Sequence, residues 1–137
     1  YKMEFDTSSE QLLGKKFLNP DAVRWELHRT WVVELTVKPG KRHLYSRRVL
    51  YVDEDSWTAL ISDNYDMKGN LYRLLLTFPL QAYDMDVTWA TSYAGYDFIV
   101  GSYVMREHPG LVGNVKFPGA MPTRFWSPDT LASESVN

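Results

Sequence analysis

The strict alternation of side chains between Arg24 and Lys38 constrains the fold of this chain more than any other feature. The odd-numbered positions place seven side chains on one face: Trp25, Leu27, Arg29, Trp31, Val33, Leu35 and Val37. A period of two residues predicts a half-buried β-strand. At about 3.3 Å per residue such a strand would extend roughly 50 Å, far beyond the usual length, so we expect it to bend.

Turn signals after this strand predict an antiparallel meander. Pro39 presets φ and Gly40 accepts a positive φ, so Pro39-Gly40 predicts a tight reversal and a hairpin. Further turns are expected at 53–56 and 66–70, with strands at 57–65 and 71–83.

The rest of the chain carries shorter signals. We expect a strand at 1–5, a turn at Asn19-Pro20-Asp21, strands at 88–93 and 96–106 that reverse near Ala94-Gly95, an extended loop at 108–122, and a short helix beginning at Ser127-Pro128-Asp129. A length of 137 residues suits a single domain. The predicted fold class is therefore mainly β (α+β), an antiparallel sheet with a short C-terminal helix.

Composition excludes several classes of partner and chemistry. The formal charge of −2 and the pI of about 5.9 argue against a nucleic-acid binder, which needs a basic surface. No apolar stretch is long enough for a transmembrane helix, and the start at Tyr1 without a signal peptide indicates a mature protein or an excised fragment. The absence of cysteine excludes disulfides, thiolate nucleophiles and cysteine-ligated metals. Aromatic residues make up 15%, which suits either an ordinary sheet core or a lipophilic cavity.

Arginines on the alternating apolar face raise the question of function. If Lys38 pairs with Lys41 across the predicted turn, Trp31 lies opposite Arg48. Arg29 and Arg48 then share the tryptophan-rich face.

The third and fourth strands extend this face in a way that depends on register. If Val52 pairs with Trp57, Ile61 and Asp63 join the same face. One register of the fourth strand then brings Arg73 opposite Asp63. A slip of one residue, which the apolar count favours, instead buries Tyr72, Leu74, Leu76 and Phe78.

Three explanations remain open for Arg29, Arg48 and Asp63. They could form an internal salt-bridge cluster, with Arg48 stacked on Trp31. They could instead form the polar end of an apolar cavity, where an arginine meets the acidic head group of an acyl ligand. A bulge in the second strand could also turn Arg47 inward in place of Arg48.

Catalytic and metal-binding patterns are missing from the sequence. The predicted register keeps three histidines apart: His28, His43 and His108. Asp53 opens a stretch similar to a calcium loop, but the twelfth position is Asn64 rather than glutamate. Asp84 and Asp86 point the same way on a strand without an acid or base partner. We therefore expect no enzyme activity, no metal site and no cofactor.

Two segments carry a family resemblance: VRWELHRTWVVELTVKPGKRHLYSRRVLYVDEDSW at 23–57 and ISDNYDMKGNLYR at 61–73. Together they resemble a family of bacterial outer-membrane lipoprotein-sorting-like proteins of uncharacterised function, and the match is close over about residues 19–84. The region from Trp89 varies within that family, and FWSPDTL is similar to its terminal helix. Because members are much longer, residues 1–137 look like the C-terminal part of a larger domain.

The resemblance implies the periplasmic lipoprotein-carrier fold, in which a strongly curved antiparallel sheet forms an unclosed barrel over helices and shelters acyl chains. It also implies a location in the periplasm or at the periplasmic face of the outer membrane. No catalytic residue transfers from the family. Part of such a fold would expose sheet edges, so we expect self-association or contact with a partner chain.

Two functions follow from these features. The first is a non-enzymatic binding or carrier protein for lipid, lipoprotein acyl chains or another hydrophobic ligand, with Arg29, Arg48 and Asp63 at the polar end of its cavity. Its apolar lining would be Trp25, Leu27, Trp31, Val33, Leu35, Trp57 and Ile61. Burial of apolar surface at about 25 cal/mol per Å² would supply the affinity. The second is a structural or interaction module whose sheet face packs on a missing N-terminal half or on a partner protein.

Overall fold

The computed structural model describes residues 3, 6–83, 85–108 and 119–134. Six antiparallel strands form one sheet in the order of the chain. They are β1 (Thr30–Thr36), β2 (Arg47–Asp53), β3 (Ala59–Tyr65), β4 (Leu71–Ala82), β5 (Val87–Asp97) and β6 (Ser102–Arg106). Short α-helices lie at α1 (Ser9–Leu12) and α2 (Pro128–Glu134), and 3₁₀ helices at Pro20–Ala22 and Thr123–Trp126.

The predicted fold class is confirmed. In the described part of the chain β1 and β6 each pair on one side only, so the antiparallel sheet is open. Register shifts interrupt the β2–β3, β3–β4 and β4–β5 ladders, and such bulges bend a strand and increase its twist. The predicted C-terminal helix is present as α2, and the Ser127 hydroxyl accepts a hydrogen bond from the Thr130 N–H at 3.3 Å. No helix among the described residues is long and apolar enough to cross a bilayer.

Two predicted elements fall largely outside the described residues. The strand expected at 1–5 is described only at Met3, and the loop expected at 108–122 is described only at its two ends. The predicted turn at Asn19-Pro20-Asp21 is present as a 3₁₀ helix, which the Asn19 side chain caps by accepting the Asp21 N–H.

The N-terminal segment covers one face of the sheet and builds the core. Ser8 and Gln11 form a capping box that starts α1, and this turn of helix buries Leu12 completely. Leu12 belongs to a cluster of buried side chains whose other members are Met3, Leu18, Ala22, Val23 and Ala94. Further side chains of β4 to β6 pack against this cluster: Leu76, Phe78, Tyr96, Tyr103 and Met105. We call this side of the sheet the covered face.

The first hairpin differs from its prediction. The turn at Pro39-Gly40 is present, with a hydrogen bond from the Lys41 N–H to the Lys38 carbonyl and a φ of +74° at Gly40. However, β1 ends at Thr36, and residues 37–46 form a loop rather than a tight reversal. This loop buries Tyr45, whose ring lies under the Arg48 guanidinium. Because the loop replaces a tight turn, the pairing differs from the predicted one, and Trp31 lies opposite Val52 and not Arg48.

The long strand predicted at 24–38 is also wrong, because only Thr30–Thr36 forms a strand. The partner strand β2 ends at Asp53, and the Glu54 N–H makes the last hydrogen bond, to the Arg29 carbonyl. Alternation indicates where side chains point, but a strand also needs a neighbouring strand to pair with. Residues 24–28 have no such neighbour among the described residues and extend beyond the edge of the β1–β2 ladder. We call residues 23–28 the strap.

The second hairpin places two predicted residues on the other face. β3 begins at Ala59, and Trp57 lies in the preceding turn with a φ of +57° instead of pairing with Val52. Ile61 lies opposite Tyr51 and Asp63 opposite Val49, so both face away from Trp31.

For the last three strands, the predicted register of β4 is confirmed and the predicted reversal in β5 is wrong. β4 uses the favoured register, in which Leu74 rather than Arg73 lies opposite Asp63. The reversal expected near Ala94-Gly95 is wrong, since β5 continues to Asp97 and the turn lies at residues 98–101. Phe98, Ile99 and Val100 looked like strand residues because they are apolar, but the turn leaves them at least half exposed.

Candidate functional site

The predicted apolar lining is divided between two faces of the sheet. Trp31, Val33 and Leu35 share the face opposite the covered face, and all three are exposed. We call this side the open face. Leu27 and Trp57 are also exposed, in the strap and in the β2–β3 turn. Only Trp25 and Ile61 of the predicted lining reach a common cleft.

The three polar residues predicted at the end of the cavity do not meet. Arg29 is 85% exposed in its side chain and lies 3.7 Å from Glu54. Arg48 lies on the open face over the ring of Tyr45. Asp63 lies on the covered face.

The contacts of Asp63 and Arg47 decide between the arrangements that the sequence left open for the inward polar residues. The Tyr51 hydroxyl donates to Asp63 at 3.1 Å, and this hydrogen bond is the main reason that the pKa of Tyr51 is raised. Arg47 binds Glu34 at 3.1 Å and stacks on Tyr65, so it does not replace Arg48. A ligand-binding role for any of these predicted residues remains a prediction.

A cleft of about 650 Å³ opens between the strap and the covered face. Its floor is the sheet where β3 and β4 pair, and Ile61 lies opposite Leu76 there. The Trp25 indole N–H donates to the Pro20 carbonyl at 3.2 Å, which holds the outer wall against the 3₁₀ helix. Apolar side chains line much of the cleft: Met3, Val23, Trp25, Leu60, Ile61, Leu76, Phe78, Pro79 and Tyr83. The volume falls in the range of sites that take small organic ligands.

One rim of the cleft carries a hydrogen-bonded group of three side chains, His28, Asp53 and Ser56. Asp53 is buried and forms its centre: its Oδ1 lies 3.0 Å from the His28 Nδ1, and its Oδ2 accepts from the Ser56 hydroxyl at 2.6 Å. The Ser56 backbone N–H also donates to Oδ2 at 3.0 Å. The carboxylate is therefore satisfied from two directions while the histidine ring faces the cleft.

The pKa values of this pair diverge for physical reasons. The hydrogen bond from His28 to the Asp53 carboxylate raises the pKa of His28, and burial of the ring offsets part of that increase. Burial raises the pKa of Asp53, but the hydrogen bonds from Ser56 and His28 outweigh burial and the pKa is lowered overall. A charged carboxylate with a readily protonated imidazole results.

The order of these contacts differs from that of a nucleophilic triad. In a triad the histidine contacts the hydroxyl and the carboxylate contacts the histidine. Here the carboxylate lies in the middle, and the Ser56 hydroxyl donates to Asp53. Such an arrangement fixes the imidazole, whose Nε2 lies 3.5 Å from the Glu26 carboxylate at the same rim.

Sequence reasoning missed this group because it considered the histidines and Asp53 separately, as candidate metal ligands. The tight hairpin placed His28 opposite Tyr51, whereas Tyr51 pairs with Val32. The predicted register already made His28 a diagonal neighbour of Asp53, and in the structure the strap leaves β1 beside the end of β2 and brings the two side chains to 3.0 Å.

Comparison with known proteins supplies the family. A curated, uncharacterized protein of Pseudomonas aeruginosa is 44% identical over 87 residues, which is 64% of this chain and 19% of that protein. The chain therefore spans about a fifth of the length of this relative.

Solved structures give weaker likenesses. The crystal structure of a protein from Desulfovibrio piger, described as a DUF1329 family protein, matches with a TM-score of 0.49 and 22% identity. The match covers 74% of this chain and 40% of that one. A domain from Vibrio parahaemolyticus, described as a candidate outer membrane lipoprotein-sorting protein domain, matches with a TM-score of 0.47 and 18% identity over 74% of this chain and 41% of that one.

The family of proteins of unknown function called DUF1329 matches residues 1–132, so this chain belongs to the DUF1329 family.

Proposed function

We propose that the cleft binds a hydrophobic ligand with a polar head, and that this part of the protein serves as a non-enzymatic binding or carrier module. One observation carries the proposal: a cleft of about 650 Å³ with an apolar floor has a fixed imidazole and carboxylate at its polar rim. The apolar floor would take an acyl chain, and the His28 Nε2 would donate a hydrogen bond to its head group in place of its contact with Glu26. Lipid or a lipoprotein acyl chain fits this chemistry.

The place of action is part of the same proposal. We infer that the module works in the periplasm or at the periplasmic face of the outer membrane, which is what the sequence resemblance implies. A fusion of the full-length protein to a reporter that is active only after export would test this location. Activity confined to the cytoplasm would contradict it.

Binding can be tested with a fluorescent long-chain fatty acid titrated into the purified chain. We expect Trp25→Ala to weaken binding several-fold, because the indole forms a wall of the cleft. Trp31→Ala is the matched control, since the two tryptophans are 61% and 54% exposed but Trp31 lies on the open face. Loss of binding in Trp31→Ala but not in Trp25→Ala would move the site to the open face. Absence of binding by the unaltered chain would overturn the proposal.

A second candidate, a structural or interaction module, is favoured by the open face. A cross-strand row on that face runs through Val33, Leu50, Leu75 and Val104, and three of these are more than 40% exposed. Exposed apolar rows of this kind bind protein surfaces. Native mass spectrometry of the full-length protein separates the candidates: a retained lipid supports the carrier, and a stoichiometric protein complex without lipid supports the module.

A further inference from the structure

The meander gathers three of its connections at one end of the sheet. Because successive strands run in opposite directions, the loop at 37–46, the turn at 66–70 and the turn at 98–101 lie together. The turn at 54–58 and the connection between β4 and β5 lie at the other end. We call the first group the basic end and the second the acidic end, for the charges described next.

Cations dominate the basic end. Lys38, Lys41, Arg42 and Lys68 lie in its connections, and none of them forms an ion pair with another described residue. Asp66 is the acid of these connections, and it is occupied by the backbone N–H groups of Lys68 and Asn70. Four cations against one carboxylate leave these connections with a net positive charge that can meet an external anion.

A pocket of about 360 Å³ lies beneath the loop at 37–46. Its lining contains Lys38, Lys41, Arg42, His43, Arg47 and Arg48 and no acidic residue. The Arg48 Nε is buried and has no hydrogen-bond partner among the described residues. A buried donor without a partner is costly, so this nitrogen favours an acceptor that enters from outside.

Apolar side chains project from the same connections. Leu44, Met67, Ile99 and Val100 are each more than half exposed. The turn at 98–101 is held firmly, because the Asp97 carboxylate accepts the N–H groups of Ile99 at 3.1 Å and Val100 at 3.0 Å. Exposed apolar tips beside lysine and arginine are the combination that binds the interface of an anionic bilayer.

The acidic end has the opposite character. Glu54, Asp55 and Asp86 lie in its turns, and Glu107 follows β6 at the same end. The arginines nearby are engaged, Arg24 with Glu26 and Arg29 with Glu54. A negatively charged surface would therefore attract one end of the sheet and repel the other.

From these features we propose that the basic end docks on an anionic membrane surface and that the pocket beneath the loop at 37–46 takes a lipid phosphate. Ile99 and Val100 enter the head-group region, and Arg48 with its lysine neighbours binds the phosphate. The module then stands with its cleft away from the docked end. This inference goes beyond the proposed ligand cleft and does not depend on it.

Sedimentation with lipid vesicles tests the proposal on the purified chain. We expect binding to phosphatidylcholine vesicles that contain phosphatidylglycerol, and little binding to phosphatidylcholine alone. Lys41→Gln/Arg42→Gln should weaken binding about tenfold or more, because each cation near an anionic surface contributes roughly fivefold. The charge-matched control is Arg24→Gln/Arg29→Gln at the other end, which should bind at least as well as the unaltered chain.

The apolar tip has its own variant and control. Ile99→Ser/Val100→Ser should weaken vesicle binding several-fold, while Leu27→Ser, which removes an exposed apolar side chain from the strap, should not. Equal effects of the two pairs of charge variants, or binding that is independent of phosphatidylglycerol, would overturn the proposal.

Inorganic phosphate distinguishes the source of the phosphate group. Competition by phosphate at constant ionic strength supports a phosphate site within the docking surface. Binding of phosphate without any binding of vesicles would show a site for a free anion and would refute membrane docking. Trp25→Ala should bind vesicles normally, so failure of the ligand cleft and failure of docking give different results.

Discussion

The two faces of this sheet carry similar apolar side chains but are buried to very different extents. On the covered face, Leu12 and Ala94 are almost completely buried because the N-terminal segment packs against β4 to β6. On the open face, Val33 and Val104 belong to an apolar row that remains 41% and 53% exposed. The difference shows that apolar patterning in a strand does not establish which face is buried. The buried face is determined by the segment that packs across it, here the N-terminal segment.

The largest expected effect is on the covered face. Leu12→Ala should lower the free energy of unfolding by about 2–5 kcal/mol, because it leaves a cavity in a packed core. Urea unfolding measures the loss, and Leu13→Ala is the adjacent control because Leu13 is 46% exposed. We expect that control to cost less than about 1 kcal/mol.

The open face supplies the direct counterpart. Val104→Ala should change the free energy of unfolding by less than about 1 kcal/mol, since little additional surface becomes exposed. A cost as large as that of Leu12→Ala would mean that something covers this face in solution. The contrast between the faces would then disappear.

Self-association tests whether a second copy covers the open face and the β1 edge. Val33→Lys places a charge in the exposed row on an edge strand, where charge opposes strand pairing. We expect the variant to remain monomeric at concentrations where the unaltered chain associates in analytical ultracentrifugation. If the unaltered chain is itself monomeric at all concentrations, association through this edge is excluded.

The His28 and Asp53 pair on the covered side predicts a pH dependence. Because the pKa of His28 is raised in the fold, its stabilisation is complete below about pH 6.5 and is lost as pH rises through the folded pKa. The lowered pKa of Asp53 gives stabilisation that is present above about pH 3.8 and is lost as pH falls through the folded pKa. Stability from the pair is therefore greatest between these values.

Substitution isolates the histidine contribution. His28→Gln should remove the decline in stability above pH 6.5, a change below about 1 kcal/mol because the side chain is 36% exposed and water screens the pair. Urea unfolding across pH 5 to 9 measures it. An unchanged pH profile in the variant would show that the imidazole does not bind Asp53 in solution.

The smallest effect is expected at Arg29, which the sequence placed inside the sheet. Arg29→Met should change stability by less than about 0.5 kcal/mol, because its contact with Glu54 is exposed. Ligand binding in the fatty acid titration should also be unaffected. A large loss in either measurement would restore the predicted role of Arg29 at a buried site.

Local sequence patterns predicted the order of the elements well. Turn residues marked Asn19-Pro20-Asp21 and Pro39-Gly40, and Ser127 marked the start of α2. The length of β4 and its register were also predicted, because its apolar side chains favour one face. These features depend on backbone conformation and side-chain period, which neighbouring residues determine.

The same reasoning predicted only part of the candidate site. Trp25 and Ile61 were named as lining residues and do line the cleft, although through elements other than one continuous strand. His28 and Asp53 were considered separately and rejected. They meet where the strap passes the end of β2, although the β1–β2 register differs by four residues from the predicted one.

By itself, then, the sequence determined that this chain forms an antiparallel meander with a short C-terminal helix, because alternation and turn chemistry are local properties. Tertiary structure decided the rest. The loop at 37–46 replaced a tight turn and changed the register, a bulge placed Ile61 and Asp63 on the covered face, and packing of the N-terminal segment around Leu12 determined which face became the core. Each of these depends on contacts between residues that are distant along the chain, and a shift of one residue in a strand reverses every side chain that follows.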